Sequence, residues 1–399
     1  MKRSPESLLR WRKEFPILSR ATYLVSNSLG AMPRGVSARM QDFAETWATR
    51  GVRAWAEEWW EMSEKVGDTI APLIGVNRGE VCMHTNISLL QAILISSFDF
   101  KGKRNNVVLT DMEFPSVVYV YQRLAKACGA RLKTVRSDDG ITMDTQKIID
   151  AIDEKTLLVP ISHVSFKSAY IFDIPAIAEK ARKCGAIVIL DAYHSVGVLP
   201  VDVRELGVDI LVGGVLKWLC GGPGSAFLWI RPSLRRKLEP KITGWLAHKQ
   251  PFAFEPAMQY TNSIYRFMNG TPPIPALYSA QEGPKIIAQV GVEKIRAQSI
   301  CQTSMIIEQA QRNGFRISSP LDPEQRAGTV TLDVPHAYRV SRELLRRGII
   351  VDYREGAGVR LAPHFYNTDE EVTSAVDQIR DILASKAYRR HSQRRAHVT

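Results

Sequence analysis

The stretch Ala186-Ile187-Val188-Ile189-Leu190-Asp191 is an apolar, strand-like run that ends in an acid, and Ala192-Tyr193-His194 follows it. A second apolar run leads through Gly213-Gly214-Val215-Leu216 to Lys217. An Asp at the end of a buried strand and a Lys after a later strand meet two needs of a pyridine cofactor that carries an aldehyde. The acid is a counter-ion for the ring nitrogen, and the amine bonds the aldehyde. The pair predicts pyridoxal phosphate as the cofactor.

The same pattern of apolar runs continues on both sides of this stretch. Strand candidates are the segments 107–109, 157–161, 186–191, 210–212 and 226–230. Helices are predicted between them over 116–128 and over 175–184, the second behind an Asp173 cap. Strands that alternate with amphipathic helices favour a mostly parallel sheet covered on both faces. The predicted fold class is therefore α/β.

The character of the chain changes after Pro284. One long helix is predicted over 285–313, short strands over 328–334 and 348–351, a helix over 338–347, and a last helix from 369 to about 387. These elements form a smaller α+β unit. Because single cores stop growing near about 250–300 residues, a chain of 399 residues is expected to form two domains. We predict a large domain over 46–284 and a small domain made of 1–45 and 285–399.

Composition excludes several classes of protein. Apolar residues make up 45% of the chain and charged residues 24%, as in ordinary soluble globular proteins. The start, Met1 to Ser7, leads into a charged segment, and no apolar run reaches the roughly 20 residues of a membrane span. The five cysteines are scattered without CxxC spacing, so neither a disulfide framework nor a zinc site is indicated. We expect a cytoplasmic protein with no metal and no membrane partner.

The formal net charge is +12, and a basic C-terminal stretch supplies part of it. The basic residues of this stretch are Lys386, Arg389, Arg390, Arg394 and Arg395. No acidic residue follows Asp381. Such a stretch is either a solvated tail or a contact for nucleic acid, and no recognisable nucleic-acid-binding module accompanies it. We expect a solvated tail and no nucleic-acid partner.

Three further positions suit a site built around the cofactor, and each has a structural alternative. His194 can hydrogen-bond Asp191, flank the cofactor ring or move protons, or it is a satisfied core histidine. The helix start at Thr85-Asn86-Ile87-Ser88 can offer backbone N–H groups to the phosphate, or Asn86 or Ser88 is a plain N-cap. Phe114 can project from the sheet edge over a flat ligand, or it belongs to the core.

Arg360 lies within the apolar, strand-like pattern Val359-Arg360-Leu361. A buried guanidinium requires a carboxylate partner. The α-carboxylate of an amino-acid substrate would serve, and so would a structural Asp or Glu. The pattern alone leaves both possibilities open.

The order of these motifs resembles kynureninase and its class V aminotransferase relatives over nearly the whole chain. In the middle of the chain the resemblance is carried by His163-Val164-Ser165-Phe166-Lys167-Ser168, Asp191-Ala192-Tyr193-His194-Ser195-Val196-Gly197 and Lys217-Trp218-Leu219-Cys220-Gly221-Gly222-Pro223-Gly224. Elsewhere it is carried by Asn27-Ser28-Leu29-Gly30, Phe114-Pro115-Ser116, Gly244-Trp245 with His248, Asn269-Gly270-Thr271-Pro272-Pro273-Ile274, and Arg360 with Pro363.

This resemblance implies a fold-type I pyridoxal-phosphate enzyme. Such an enzyme has a large domain around a seven-stranded sheet, a small C-terminal domain, and a homodimer with each active site at the subunit interface. By motif, Lys217 is the lysine that bonds the cofactor and Asp191 is the partner of the ring nitrogen. His194 is the neighbour of that acid, and Phe114 stacks on the ring.

The resemblance also assigns the phosphate and the substrate. The residues it places around the phosphate are Ile87, Ser88, Trp245 and Thr271, the last reaching in from the second subunit. It assigns Arg360 to the substrate carboxylate and Asn27 to substrate binding. The implied substrate is a small-molecule α-amino acid.

One position departs from the kynureninase pattern. Kynureninases usually carry a Tyr immediately before the lysine, and this chain has Leu216, which can neither donate a hydrogen bond nor move a proton. The first reading of the resemblance is hydrolytic cleavage of Cβ–Cγ in L-kynurenine or a related γ-keto amino acid. A class V aminotransferase, lyase or epimerase is the alternative, and a non-catalytic binding protein of the same fold is a more remote one.

Overall fold

The computed structural model describes residues 6–394, so Met1 to Pro5 and Arg395 of the basic stretch lie outside the described residues. The strands are β1 (Thr22–Tyr23), β2 (Val81–His84), β3 (Asn106–Thr110), β4 (Arg131–Val135), β5 (Thr156–Ser162), β6 (Ile187–Asp191), β7 (Ile210–Gly214), β8 (Ala226–Ile230), β9 (Arg316–Ile317), β10 (Val330–Asp333), β11 (Ile349–Ile350), β12 (Asp352–Arg354) and β13 (Gly358–Leu361). The helices are α1 (Glu6–Leu9), α2 (Gly35–Arg50), α3 (Arg53–Glu57), α4 (Met62–Ile70), α5 (Ile87–Ser96), α6 (Pro115–Val120), α7 (Thr145–Ala151), α8 (Ile174–Lys183), α9 (Pro232–Arg235), α10 (Ile274–Ser279), α11 (Glu282–Val290), α12 (Val292–Arg312), α13 (Ala337–Arg346) and α14 (Asp369–Ala384).

Seven strands form the central sheet, in the order β2-β8-β7-β6-β5-β3-β4. Neighbouring strands run parallel from β4 through β3, β5 and β6 to β7. Strand β8 runs the other way, because it pairs antiparallel with both β7 and β2. The α/β class and the mostly parallel seven-stranded sheet predicted from the sequence are confirmed.

Both faces of this sheet are buried, which explains the unbroken apolar runs of its strands. Along β6, Val188 and Leu190 pack into one hydrophobic cluster and Ile189 packs into another. Because alternate residues of a strand point to opposite faces, the two clusters lie on opposite sides of the sheet. Helix α8 contributes side chains to the first cluster and helix α5 to the second.

The carboxyl ends of the parallel strands meet at one edge of the sheet. Thr110 ends β3, Ser162 ends β5 and Asp191 ends β6. Ser162 and Asp191 are also partners in the register of β5 with β6. Lys217 lies just after β7. In open α/β sheets ligands bind at this edge. The fold therefore brings Asp191 and Lys217 to the place where a ligand is expected.

A second, four-stranded sheet lies in the C-terminal part, in the order β12-β13-β10-β9, and its neighbouring strands are antiparallel. Helices α12, α13 and α14 pack against it through one hydrophobic cluster. Thr368 and Glu371 form a capping box at the start of α14, and the N-cap bond of such a box contributes about 0.5–2 kcal/mol. The N-terminal segment joins this part because β1 pairs with β11.

The structure differs from the sequence prediction at the long helix of 285–313. It contains two helices there, α11 and α12, because Gly291 between them adopts a φ of 90°, a conformation that favours glycine.

Both predicted domain boundaries, after residues 45 and 284, fall inside helices. The division of the chain into domains stays a prediction.

The basic C-terminal stretch is only partly solvated. Lys386, Arg389 and Arg390 are exposed, as expected for a tail. Tyr388 among them is 8% exposed, and its ring stacks on that of His336 at a centroid distance of 4.3 Å. The described part of the stretch is therefore anchored to helix α13 by a buried ring.

Within residues 6–394, no helix combines the length and the apolar composition that crossing a bilayer requires. The cytoplasmic location stays a prediction.

Candidate active site

Six of the residues selected from the sequence line one cavity of about 220 Å³ at the carboxyl edge of the sheet. They are Ile87, Ser88, Phe114, Asp191, His194 and Lys217. Leu216 and Tyr193 line the same cavity. The structure thus places the acid and the amine of the predicted pair in the wall of a single pocket.

The Lys217 amine is surrounded by three side chains. Its Nζ lies 2.6 Å from Nε2 of His194, 4.4 Å from the ring centroid of Tyr193 and 5.7 Å from that of Phe114. Burial lowers the pKa of Lys217, and the positive charge of Arg360 lowers it further. A lowered pKa favours the neutral amine, which is the form that attacks an aldehyde.

His194 contacts the amine rather than the acid. Burial lowers the pKa of His194 well below its usual range, and the charge of Lys217 adds to the effect. Its ring is therefore neutral, and one of its nitrogens is free to accept a hydrogen bond from the Lys217 amine. No hydrogen bond joins His194 to Asp191 in the described part of the chain.

Asp191 keeps one carboxylate oxygen free. Its Oδ1 accepts a hydrogen bond from the N–H of Tyr193 at 2.9 Å, and no donor within residues 6–394 reaches Oδ2. Burial raises the pKa of the carboxyl. A protonated ring nitrogen next to Oδ2 would supply both a donor and a positive charge, so this acid suits a pyridinium.

The start of α5 offers an anion site in the same cavity. Asn86 is the N-cap, because its Oδ1 accepts a hydrogen bond from the N–H of Leu89 at 2.9 Å. Among the described residues, the N–H groups of Ile87 and Ser88 have no acceptor. Free N–H groups at the positive end of a helix dipole bind phosphate. Asn86 therefore caps the helix and still leaves two donors for a ligand.

Phe114 is not a core residue. Its side chain is 40% exposed, and it lines the cavity from the N-cap position of α6. Its ring meets that of Phe166 edge to face at a centroid distance of 5.2 Å. Together with Lys217, Asp191 and the start of α5, this exposed ring fits the flat heterocycle of pyridoxal phosphate.

Arg360 has a structural acid as its partner. It is 1% exposed, its Nε donates to Oδ1 of Asp352 at 2.8 Å, and its Nη2 donates to Oδ2 of the same carboxylate. Its Nη1 donates to the carbonyl of Phe166, whose residue lines the cavity. The sequence left a substrate carboxylate or a structural acid as partners, and the structure supplies the acid. Binding of the substrate carboxylate by Arg360 stays a prediction.

Asn27 is buried without a partner. It is 1% exposed, and neither Nδ2 nor Oδ1 has a hydrogen bond among the described residues. A buried polar group left in this state costs about 1–3 kcal/mol. Asn27 is not among the residues that line the cavity, so its assignment to the substrate stays a prediction.

Trp245 and Thr271 do not reach the cavity of their own chain. Trp245 packs in an aromatic cluster, 5.1 Å from the ring of Trp60 and 6.2 Å from that of Phe254. Thr271 is exposed on the surface. Their assignment to the phosphate stays a prediction.

Tyr193 was not among the site residues predicted from the sequence, although its ring lies next to Lys217. A Cβ at Gly214 would meet three Tyr193 atoms at 2.3–2.6 Å, so the ring occupies the space that glycine leaves open. The paired glycines before Lys217 were the available signal for a ring packed on that strand. Burial also raises the pKa of the Tyr193 phenol, so it stays a hydrogen-bond donor.

A second acid beside the cavity was also missed. Glu113 directly precedes Phe114 and is 3% exposed. It accepts hydrogen bonds from Ser162, a residue of the cavity wall. An acid immediately before the selected aromatic residue was the only trace of this arrangement in the sequence.

Comparisons with known proteins identify the family of this chain. Kynureninase of Burkholderia pseudomallei (strain 1106a) is 32% identical over 391 residues, which cover 95% of this chain and 93% of that protein. Kynureninase of Pseudomonas fluorescens is 33% identical over 398 residues, which cover 96% and 94%. A solved cysteine desulfurase from Thermococcus onnurineus NA1 has a TM-score of 0.84 at 23% identity, covering 96% of this chain and 99% of that one.

A mutant of the protein C-DES, solved with glycine covalently linked to its PLP cofactor, also has a TM-score of 0.84, at 20% identity. It covers 93% of this chain and 99% of its own. These neighbours share the fold-type I architecture, and the cofactor is pyridoxal phosphate. Residues 22–374 match the family described as aminotransferase class-V. The chain is therefore a pyridoxal-phosphate-dependent enzyme that belongs to the class-V aminotransferase family.

Proposed function

We propose that this enzyme hydrolyses the Cβ–Cγ bond of L-kynurenine or of a related γ-keto amino acid. The main support is that relatives named kynureninase align along 93–94% of their own length. Bound pyridoxal phosphate supplies an electron-accepting ring that stabilises negative charge on the α-carbon of an amino acid. The cavity residues described above would hold it.

The residues of the chain supply the other functions of this reaction. The Lys217 amine takes a proton from the α-carbon and returns it, and His194 at 2.6 Å keeps the amine in place. Asp191 places a negative charge at the ring nitrogen. The rings of Phe114 and Phe166 cover one wall of the cavity and limit the access of water.

Leu216 supports a second candidate, a class V aminotransferase, lyase or epimerase. Hydrolytic cleavage requires an activated water and a group that protonates the departing part of the substrate. Leu216 lines the cavity and can do neither. Transamination requires only that the proton taken from the α-carbon be returned to a different carbon. If the enzyme is a hydrolase, another group of the cavity, such as the Tyr193 phenol, has to donate the proton that Leu216 cannot.

We expect L-kynurenine, or its 3-hydroxy derivative, to yield the matching anthranilate and alanine in equal amounts. Chromatography of the reaction mixture measures both products, and Lys217→Ala serves as the blank because it lacks the amine. A keto acid without anthranilate would support transamination and overturn the hydrolase proposal. Release of sulfide from L-cysteine, with no product from kynurenine, would move the enzyme to the lyases.

We also propose that two copies of the chain form a homodimer with shared active sites. An aromatic band links Trp47, Phe43, Trp59, Trp55, Trp60 and Trp245 through successive ring contacts, and the rings of Phe252 and Phe254 both contact that of Trp245. Its two ends are exposed, whereas Trp59 in the middle is buried. Trp47 at one end is 63% exposed and Phe254 at the other is 76% exposed. Exposed apolar patches of this kind mark interfaces. The family resemblance assigns Thr271 of one copy to the phosphate site of the other, and we propose that a second copy seated on this band provides that contact.

Subunit complementation tests this arrangement. Lys217→Ala and Thr271→Asp homodimers are each expected to be inactive, the second because a negative charge repels phosphate. Suppose that Lys217 and Thr271 of one site come from different chains. In a mixed dimer both changes then fall in the same site, and the other site keeps its native Lys217 and Thr271. Random mixing should then restore about a quarter of wild-type activity. Sedimentation provides the oligomeric state, and a mixture without recovered activity would contradict the shared site.

A further inference from the structure

A buried carboxylate with three donors lies behind the cofactor cavity. Glu113 Oε2 accepts from the N–H of Ser162 at 2.8 Å and from its hydroxyl at 2.5 Å. Glu113 Oε1 accepts from the hydroxyl of Thr110 at 2.8 Å. None of the functions assigned above uses this acid, although Ser162 lies in the cavity wall.

The hydrogen bonds fix the direction of the Ser162 hydroxyl. A hydroxyl has one proton, and in Ser162 that proton points to Glu113. The lone pairs of the Ser162 hydroxyl oxygen face the cavity. Ser162 can therefore accept a hydrogen bond from a ligand bound there. Ser162 is also the register partner of Asp191 on the neighbouring strand. The cavity wall therefore presents two acceptors side by side.

The pKa of Glu113 depends on its burial, its hydrogen bonds and the charges around it. Its pKa is raised to about 7, because burial and the charge of Asp191 raise it by more than the bonds from Ser162 and Thr110 lower it. The phenol of Tyr121, which follows α6, lies near it, and burial together with the Glu113 charge raises the pKa of that phenol. Lys217 faces Asp191 across the same cavity. Above a pH of about 7 Glu113 is mainly ionised and adds a negative charge to this wall.

We propose that Glu113 is a positioning residue that turns the Ser162 hydroxyl into an acceptor for the bound cofactor and adds a second negative charge behind Asp191. The inference rests on the pyridoxal-phosphate cofactor and not on the identity of the substrate. It can fail while the hydrolase proposal holds, and it can hold while that proposal fails.

The test uses the cofactor-loaded full chain and follows its visible absorbance with pH. Glu113→Gln keeps the size of the side chain and removes its charge. The pH midpoint of the visible transition should fall by about 0.5–1 unit, because a nearby anion favours the protonated form of the lysine-bound cofactor. Cofactor affinity should weaken by about two- to tenfold for the lost hydrogen bond.

Ser162→Ala should shift the midpoint in the same direction, and the double variant should match Glu113→Gln alone rather than show the sum of both shifts. Glu343→Gln is the matched control, because Glu343 is also buried but lies in α13 and should not move the midpoint. If Glu113→Gln lowers only the melting temperature of the cofactor-free protein, the acid is structural and the proposal is overturned. Should that variant not fold, an unchanged midpoint in Ser162→Ala overturns it equally.

Discussion

Replacing Lys217 by alanine should remove the visible absorbance of the cofactor-loaded enzyme and lower turnover by a factor on the order of 10³ or more. The reason is that the amine both holds the aldehyde and moves the α-proton, and no other lysine lines the cavity among residues 6–394. The fold should survive the change. Because burial lowers the pKa of Lys217, its charged form is disfavoured in the folded state, and alanine removes that cost.

The measurement has three parts: the absorbance spectrum after incubation with pyridoxal phosphate, the turnover of the best substrate, and thermal unfolding of the cofactor-free protein. Lys101→Ala is the control, since Lys101 lies exposed in the loop before β3. It should leave all three unchanged. A Lys217→Ala protein that keeps its visible band would mean that another amine carries the cofactor, and the site described here would be wrong.

The pairing of Asp191 with Lys217 could be predicted from the sequence because it depends only on strand direction. Both residues follow apolar runs that form neighbouring parallel strands, β6 and β7, and the ends of such strands meet at one edge. Phe114 and the start of α5 could be selected for the same reason, since each follows a strand of this sheet.

Contacts that depend on the order of strands in a sheet could not be predicted in this way. Glu113 reaches Ser162 only because β3 lies next to β5, although β4 comes between them in the chain. Strand β12 was not predicted from the sequence, so the register that pairs Asp352 with Arg360 was not predicted either. Gly356 between these two strands and Gly358 at the start of β13, both with positive φ, were the signal for that hairpin.

Trp245 and Thr271 illustrate a further limit. The family resemblance assigns them to the phosphate, a prediction that stays open, and in the single chain they lie in the aromatic band and on the surface. A residue that serves a neighbouring subunit carries no mark of this in its own local pattern. The symmetry of the assembly has to be known before such a residue can be placed.

Arg360→Ala is expected to have two separate effects. Asp352 is 0% exposed, so removal of its main partner leaves a buried carboxylate and should cost about 3–5 kcal/mol of folding stability. Arg354 lies 3.3 Å from the same carboxylate and remains, which favours the lower end of that range. If Arg360 also binds the substrate carboxylate, substrate affinity should weaken by about 1.5–3 kcal/mol for the lost charged hydrogen bonds.

A paired neutral variant separates these effects. In Arg360→Gln with Asp352→Asn, no buried charge is left without a partner, so urea unfolding of the cofactor-free protein should recover most of the lost stability. Substrate affinity should stay weak, because glutamine offers no positive charge to a carboxylate. An affinity restored together with stability would mean that Arg360 only supports the fold, and the carboxylate would then be bound elsewhere in the cavity.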